Sequence, residues 1–254
     1  MIRARGQWRA GLLMLAAIGA VLAMLALPPI PQDPVYHGFA DTRGLFGIPN
    51  LGNVASNLPF ALVGLWGVWR SRGLPSPLPR RQATVLTLGI LLVCFGSAWY
   101  HLAPANLSLA WDRLPMTIAF MALLSLVVSE RLSPALGLRL LWPLVLAGLA
   151  SVAWWLAGEV RGAGDLRPYA LVQFLSMVLI ALLLLLYPQR HMAAARLWWA
   201  LGVYALAKLA EHFDAELFAA LGWISGHSIK HLLAAVSAWL IVAAACSWKA
   251  GAES

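Results

Sequence analysis

Charge is what this 254-residue chain has least of. Only 11% of its residues are Asp, Glu, Lys or Arg, against 61% hydrophobic, and the mean hydropathy is +0.78. That excludes an ordinary water-soluble domain, where about a quarter of residues are charged. Negative charge is scarcest, with ten acidic residues against 18 Lys and Arg and a net charge of +8. An excess of this kind can mark a nucleic-acid partner, but here it sits in short loops between apolar runs, where Arg and Lys set membrane topology. No nucleic acid is expected, and nothing marks an obligate protein partner. Cysteine is nearly absent. Cys94 and Cys246 lie in separate apolar runs, which excludes a disulfide framework and leaves both as packing residues. Internal repeats are missing too, which argues against a transporter built from inverted repeats.

What the chain does have is long apolar runs, several near the roughly 20 residues that cross a bilayer. Eight spans are predicted, at 11–27, 53–70, 83–101, 111–128, 136–157, 169–187, 197–211 and 226–245. Proline, glycine and charge clusters such as RSRGLPSPLPRR and GEVRGAGDLRP separate them. The expected fold class is therefore all-α, a polytopic transmembrane helical bundle with a seven-helix core plus one additional N-terminal helix. Residues 1–52 form the first helix and an extracytoplasmic connection, and 53–254 form the core. The first run follows Arg3, Arg5 and Arg9 as a signal peptide would, but PPIPQDP replaces a small-residue cleavage site, so a retained helix is expected.

Loop charge orients the bundle. A cytoplasmic N-terminus puts Arg70, Arg72, Arg80, Arg81, Arg131, Arg139, Arg190, Arg196 and Lys249 on the inner side with the three N-terminal arginines. Only Arg43, Arg113, Arg161 and Arg167 then fall in outer loops and helix ends. By the positive-inside rule both termini are cytoplasmic. Three histidines, His101, His227 and His231, then share the outer level of the membrane, together with most of the acidic residues.

GHSIKHLLAAVSAWL, residues 226–240, sets His227 and His231 at i, i+4, on one helix face about 5–6 Å apart at Cβ. GSAWYHLAPANLSLAWDRLPM, residues 96–116, repeats the spacing with Ser97 and His101 and adds Asp112. Each feature has a plain reading taken singly: interfacial histidines, a serine bonding its own helix, a carboxylate favoured by a helix start. Together they match a catalytic zinc site, in which three neutral imidazoles leave one position open. Zinc polarises a carbonyl and lowers the pKa of its water to about 7. Asp112 suits a general base and acid, and Ser97 suits orienting the water or donating to an oxyanion. Lys230, about 100° from His231 around the helix, is expected outside the metal site as an ion-pair partner.

The combination SxxxH, an aspartate eleven residues on, then HxxxH in the last helix resembles the alkaline ceramidase family. That family belongs to a superfamily of seven-helix membrane hydrolases that includes the adiponectin and progestin receptors. NVASNLPF, residues 53–60, is similar to the family's opening-helix motif. The resemblance implies that His101, His227 and His231 bind zinc, with Ser97 and Asp112 assisting. It also implies a calcium site before the first core helix, but ADTRGLFGIPNLGN departs from an acid-rich pattern. Asp41 and Asn50 are its only candidate ligands, and Arg43 opposes the ion. An Asp41–Arg43 ion pair is the competing reading. In KLAEHFDAE, the residues Lys208, Glu211 and Asp214 read as a polar stripe. They either support the zinc histidines from behind or form an ion-pair network with Lys230.

The expected activity is zinc-dependent hydrolysis of a lipid amide, with ceramide the first candidate and the lipid entering from the bilayer. The alternative is a receptor-like or structural zinc bundle without turnover. A bis-histidine haem protein fits poorly, because it needs opposed histidines on separate helices.

Overall fold

The computed structural model describes residues 2–74 and 77–248. Lys249, one of the inner-side charges, lies outside them, as does the end of the predicted core. No strand occurs among the described residues, and the helices follow the apolar runs. They are α1 (Ile2–Ala26), α2 (Leu51–Ala55), α3 (Leu58–Ser71), α4 (Pro77–Leu102), α5 (Asn106–Arg131) and α6 (Pro134–Val160). After these come α7 (Arg167–Ala170), a π-helical turn (Leu171–Leu175), α8 (Ser176–Leu186), α9 (Ala194–His212), α10 (Asp214–Leu221) and α11 (Gly226–Ala245). Among the described helices, seven are long and apolar enough to cross a membrane, with α2–α3 and α7–α8 each counted as one. The protein is an integral membrane bundle.

The eighth predicted span, α9, has 19 residues but spreads Arg196, Lys208 and Glu211 along them, and it is not among those seven. It packs along α11, and that contact lets it keep charge at membrane depth.

Helix α5 forms the centre, flanked by α4, α6 and α8, and every residue from Met121 to Arg131 is buried. Large apolar side chains that face outward, such as Trp99, Trp142, Trp154 and Trp199, are more than half exposed. On a soluble protein such surface would be a liability; in a bilayer it is the lipid contact. Helix α1 is the extreme case, since none of its apolar window is buried and it leans on α8 and the π-turn.

Two glycines set the distances that matter. Pro115 has no N–H to donate to the Trp111 carbonyl one turn earlier, so that carbonyl is left unpaired in α5. Gly96 of α4 lies against it, and a Cβ at Gly96 would collide with Trp111 O. The missing methyl thus lets α4 and α5 cross closely where Ser97 faces Asp112. Gly226 opens α11 in the same way, since a Cβ there would strike Ala210 O at the end of α9.

The long connection 27–50 straps across this end of the bundle. Ile30 N donates to Asp165 and its carbonyl accepts from Leu166 N, Gln32 N donates to Glu159, and Ala40 N donates to Asp214. Each link fastens the strap to a helix end distant in sequence.

Candidate metal centre and cavity

Three helix ends converge beneath the strap. Pro104 stops α4 just after His101, because the residue before a proline is driven out of the helical region. Ser225 caps α11, its hydroxyl accepting from Ser228 N at 3.1 Å, and the cap fixes where His227 and His231 project. Asp214 adds a second cap, accepting from His227 N at 2.6 Å. The helix dipole favours that carboxylate.

The result joins His101, His227 and His231, all buried, with one ring nitrogen of each within 4.8 Å of the others. The three rings meet edge to face at 4.8–4.9 Å between centroids. Phe39 of the strap closes the outer side, 4.7 Å from the rings of both His101 and His227.

Hydrogen bonding shows which nitrogens face a cation. Ser56 Oγ donates to the Asn53 carbonyl, so it accepts from His231 Nδ1 at 2.8 Å, and the His231 Nε2 lone pair stays free. An ammonium only donates, so Lys230 Nζ, 3.2 Å from His227 Nε2, meets that nitrogen's lone pair, and an ion bound through Nε2 would displace this contact. Both ring nitrogens of His101 are buried with no hydrogen-bond partner. Orphaned buried polar atoms are costly, and an ion bonded to one of them would relieve part of that cost. The donor set of three imidazoles with no bound carboxylate suits a divalent metal of zinc type, so the residues fit the group.

A cavity of about 340 Å³ adjoins the triad. His231, Ser97 and Asp112 line its outer end, and Ser97 is a hydrogen-bond neighbour of the Asp112 carboxyl. Below them the wall turns apolar, reaching Leu86 and Ile90 on α4 and Ile241 on α11. At 1.5 Å per residue, the eleven positions from Ser97 to Leu86 give a depth of roughly 16 Å. No tryptophan lines it.

The remaining predicted residues divide. Lys208 and Glu211 line the same cavity, and Glu211 pairs with Lys208 and, at 2.9 Å, with Lys230. Glu211 therefore braces Lys230, and no histidine among the described residues bonds it. The expected stripe stops short of Asp214: α9 ends at His212, Phe213 breaks the helical period, and Asp214 turns instead to His227 N and Ala40 N. Lys230 makes the expected ion pair, with Glu211 at 2.9 Å, and comes closer to the histidines than its spacing from His231 implies. It stands away from His231 on the helix, yet it is three residues from His227 and so shares that histidine's face, inside the site.

The calcium candidates are otherwise engaged. Arg43 grips Asp41 with both arms, Nε to Oδ1 at 2.8 Å and Nη2 to Oδ2 at 2.9 Å, and holds its carboxyl below the usual range. Asn50, left-handed at φ 49°, donates through Nδ2 to the His101 carbonyl. Asn50 fastens the strap to α4, Asp41 steadies the Arg43 guanidinium that reaches Trp223 O, and the acid-poor loop does not fit calcium.

Ser56 and Asn57 escaped the sequence reading as site residues, although both stand in the NVASNLPF stretch. Asn57 is fully buried, lines the cavity and has its Oδ1 unpaired.

These features define a class: a multi-pass membrane bundle whose one end buries three histidines able to hold a metal ion, beside a carboxyl, a serine and a long apolar cavity. A family model described as Ceramidase matches residues 48–253, most of the chain, and the protein belongs to the ceramidase family. Comparison with curated proteins and with solved structures returns no match.

Proposed function

We propose that the protein is a zinc-dependent hydrolase of lipid amides, with ceramide as the reference substrate. The observation that carries this reading is the junction of the histidine triad with the apolar cavity, where His231, Asp112 and Ser97 share one wall. His101, His227 and His231 would hold the ion. Bound there, zinc supplies Lewis acidity to the amide carbonyl and to water.

The chain's own residues do the rest. Asp112 takes the proton of the attacking water and returns it to the leaving amine, so that one carboxyl serves as base and then acid. Ser97 orients that carboxyl and the water. The apolar shaft from Val93 to Leu86 and Ile241 holds the acyl chain, which leaves the amide at the level of Asp112. Phe39 bars bulk water on the outer side, so the lipid enters from the bilayer. The positive-inside count supports an extracytoplasmic site and cytoplasmic termini.

The deciding experiment is metal analysis of the purified protein with ceramide hydrolysis for wild type and His231→Ala. Stoichiometric zinc and turnover, both lost in the variant, are expected. A wild type that holds no metal overturns the reading, and zinc without turnover of any lipid amide would make the bundle structural.

A further inference from the structure

One buried charge in the cavity has no role in the reaction outlined above. Arg113 is 5% exposed and lines the cavity beside Asp112. Successive helix residues diverge by about 100°, so Asp112 faces α4 while Arg113 faces α6 and α7. Its guanidinium lies 4.4 Å from the Trp155 ring and 4.8 Å from that of Tyr169, with Tyr36 of the strap at 5.7 Å. Gln32 anchors Nη2 at 2.7 Å. Nη1 is buried with no hydrogen-bond partner, and no carboxylate among the described residues lies within ion-pair distance of the group.

A guanidinium held at the cavity wall by three rings and one amide, with one donor left unpaired, is built to receive an oxygen acceptor. Charge decides which kind. The cavity lining carries three cations, Arg113, Lys208 and Lys230, against two acids, Asp112 and Glu211. That leaves one positive charge in excess before any metal is counted. Glu211 is taken up by the two lysines, so Arg113 has no ion-pair partner of its own. Planar guanidinium forks match phosphate and carboxylate oxygens through two parallel bonds.

We infer that Arg113, with Gln32, Tyr36, Trp155 and Tyr169, forms a subsite for an anionic lipid headgroup of phosphate or carboxylate type. The apolar shaft on the far side of Asp112 takes the acyl chain. The inference rests on the lipid-amide reading for its place in turnover, and it adds to ceramide those lipid amides that carry an oxyanion on the amine side of the scissile bond. A fatty acid released by the reaction carries its carboxylate at the level of Asp112, away from the Arg113 face.

Binding separates this subsite from the chemistry. Dodecyl phosphate and dodecanol, which share a chain and differ in charge, are titrated into the metal-loaded protein in detergent, with wild type, Arg113→Gln and Arg113→Lys compared. Wild type should prefer the phosphate by at least tenfold. Arg113→Gln should reduce that ratio by about tenfold or more, and Arg113→Lys, which keeps the charge without the fork, should restore part of it. Any contribution of the metal to phosphate binding is common to all three proteins and cancels in the comparison. A ratio unchanged in Arg113→Gln, or an equal loss of both ligands, overturns the subsite; if the glutamine variant does not fold, a lysine variant with the wild-type ratio and no loss in phosphate affinity does so for the fork. If the ratio behaves as expected while no lipid amide is hydrolysed, the subsite stands and the hydrolase reading falls.

Discussion

Replacing His101 by leucine should stabilise the protein in a chelator and destabilise it, relative to wild type, in zinc. Without metal, both imidazole nitrogens are buried and unpartnered in a residue with no exposed surface. Each such group costs about 1–3 kcal/mol. Leucine removes both, and repacking against Phe39 and Tyr100 gives back up to about 1.5 kcal/mol. Even at the low end the variant gains roughly 0.5 kcal/mol, and the middle of the range gives about 2.5 kcal/mol. For a chain of this size, 1 kcal/mol moves the transition by about 2–4 °C, so a rise of several degrees is expected. Zinc reverses the order. At a thousandfold excess over its dissociation constant it stabilises wild type by about 4.1 kcal/mol, whereas the variant has lost a ligand. The assay is thermal unfolding of both proteins in detergent, with EDTA and with zinc. A variant less stable than wild type in EDTA, or one that gains as much from zinc, refutes the reasoning.

Ser56→Ala removes the acceptor that holds His231 Nδ1, and zinc affinity should fall about 10–100-fold, as read by competition with a chelating dye. Gly96→Ala places a methyl on the Trp111 carbonyl; a loss of about 1–3 kcal/mol and of ceramide turnover is expected, measured by thermal unfolding and product release. The Asp41 carboxyl is held low by Arg43, so its contribution is present above the unfolded value near 4 and disappears as pH falls through the lower folded value. Unfolding midpoints followed below pH 4 should show an acid-labile component in wild type that is missing in Asp41→Asn.

The sequence carried the helices well where apolarity was continuous. The predicted last span, 226–245, coincides with α11, and the core class follows from eight apolar runs. Ends were harder to place: α5 starts at Asn106, five residues before the predicted span, because Ser108 bonds the chain at Ala103 and Ala105 and begins the helix early. The histidine triad was legible because i, i+4 pairs share a face on any helix. The supporting contacts were not. Ser56 reaches His231 across 175 residues of sequence, and no local spacing encodes that. Lys230 forms the ion pair expected of it, but its approach to His227 was missed because its angle was taken from His231. Asp214 was misplaced because helical periodicity was carried past the break at Phe213. The sequence places Arg113 among the outer loops and helix ends, and only the rings of Trp155 and Tyr169, brought in from two other helices, reveal it as buried.

The strap that carries Phe39 also sets an order of events. It is translated ahead of everything it binds. Ile30 waits 135 residues for Asp165, Ala40 waits 174 for Asp214, and the Arg43 guanidinium waits 180 for Trp223 O. Until α10 and the start of α11 leave the ribosome, His101 has neither of its two partner imidazoles. Nascent chains, and chains cut short before α11, therefore cannot assemble the triad, and any ion that it takes up is captured only after α11 has been made.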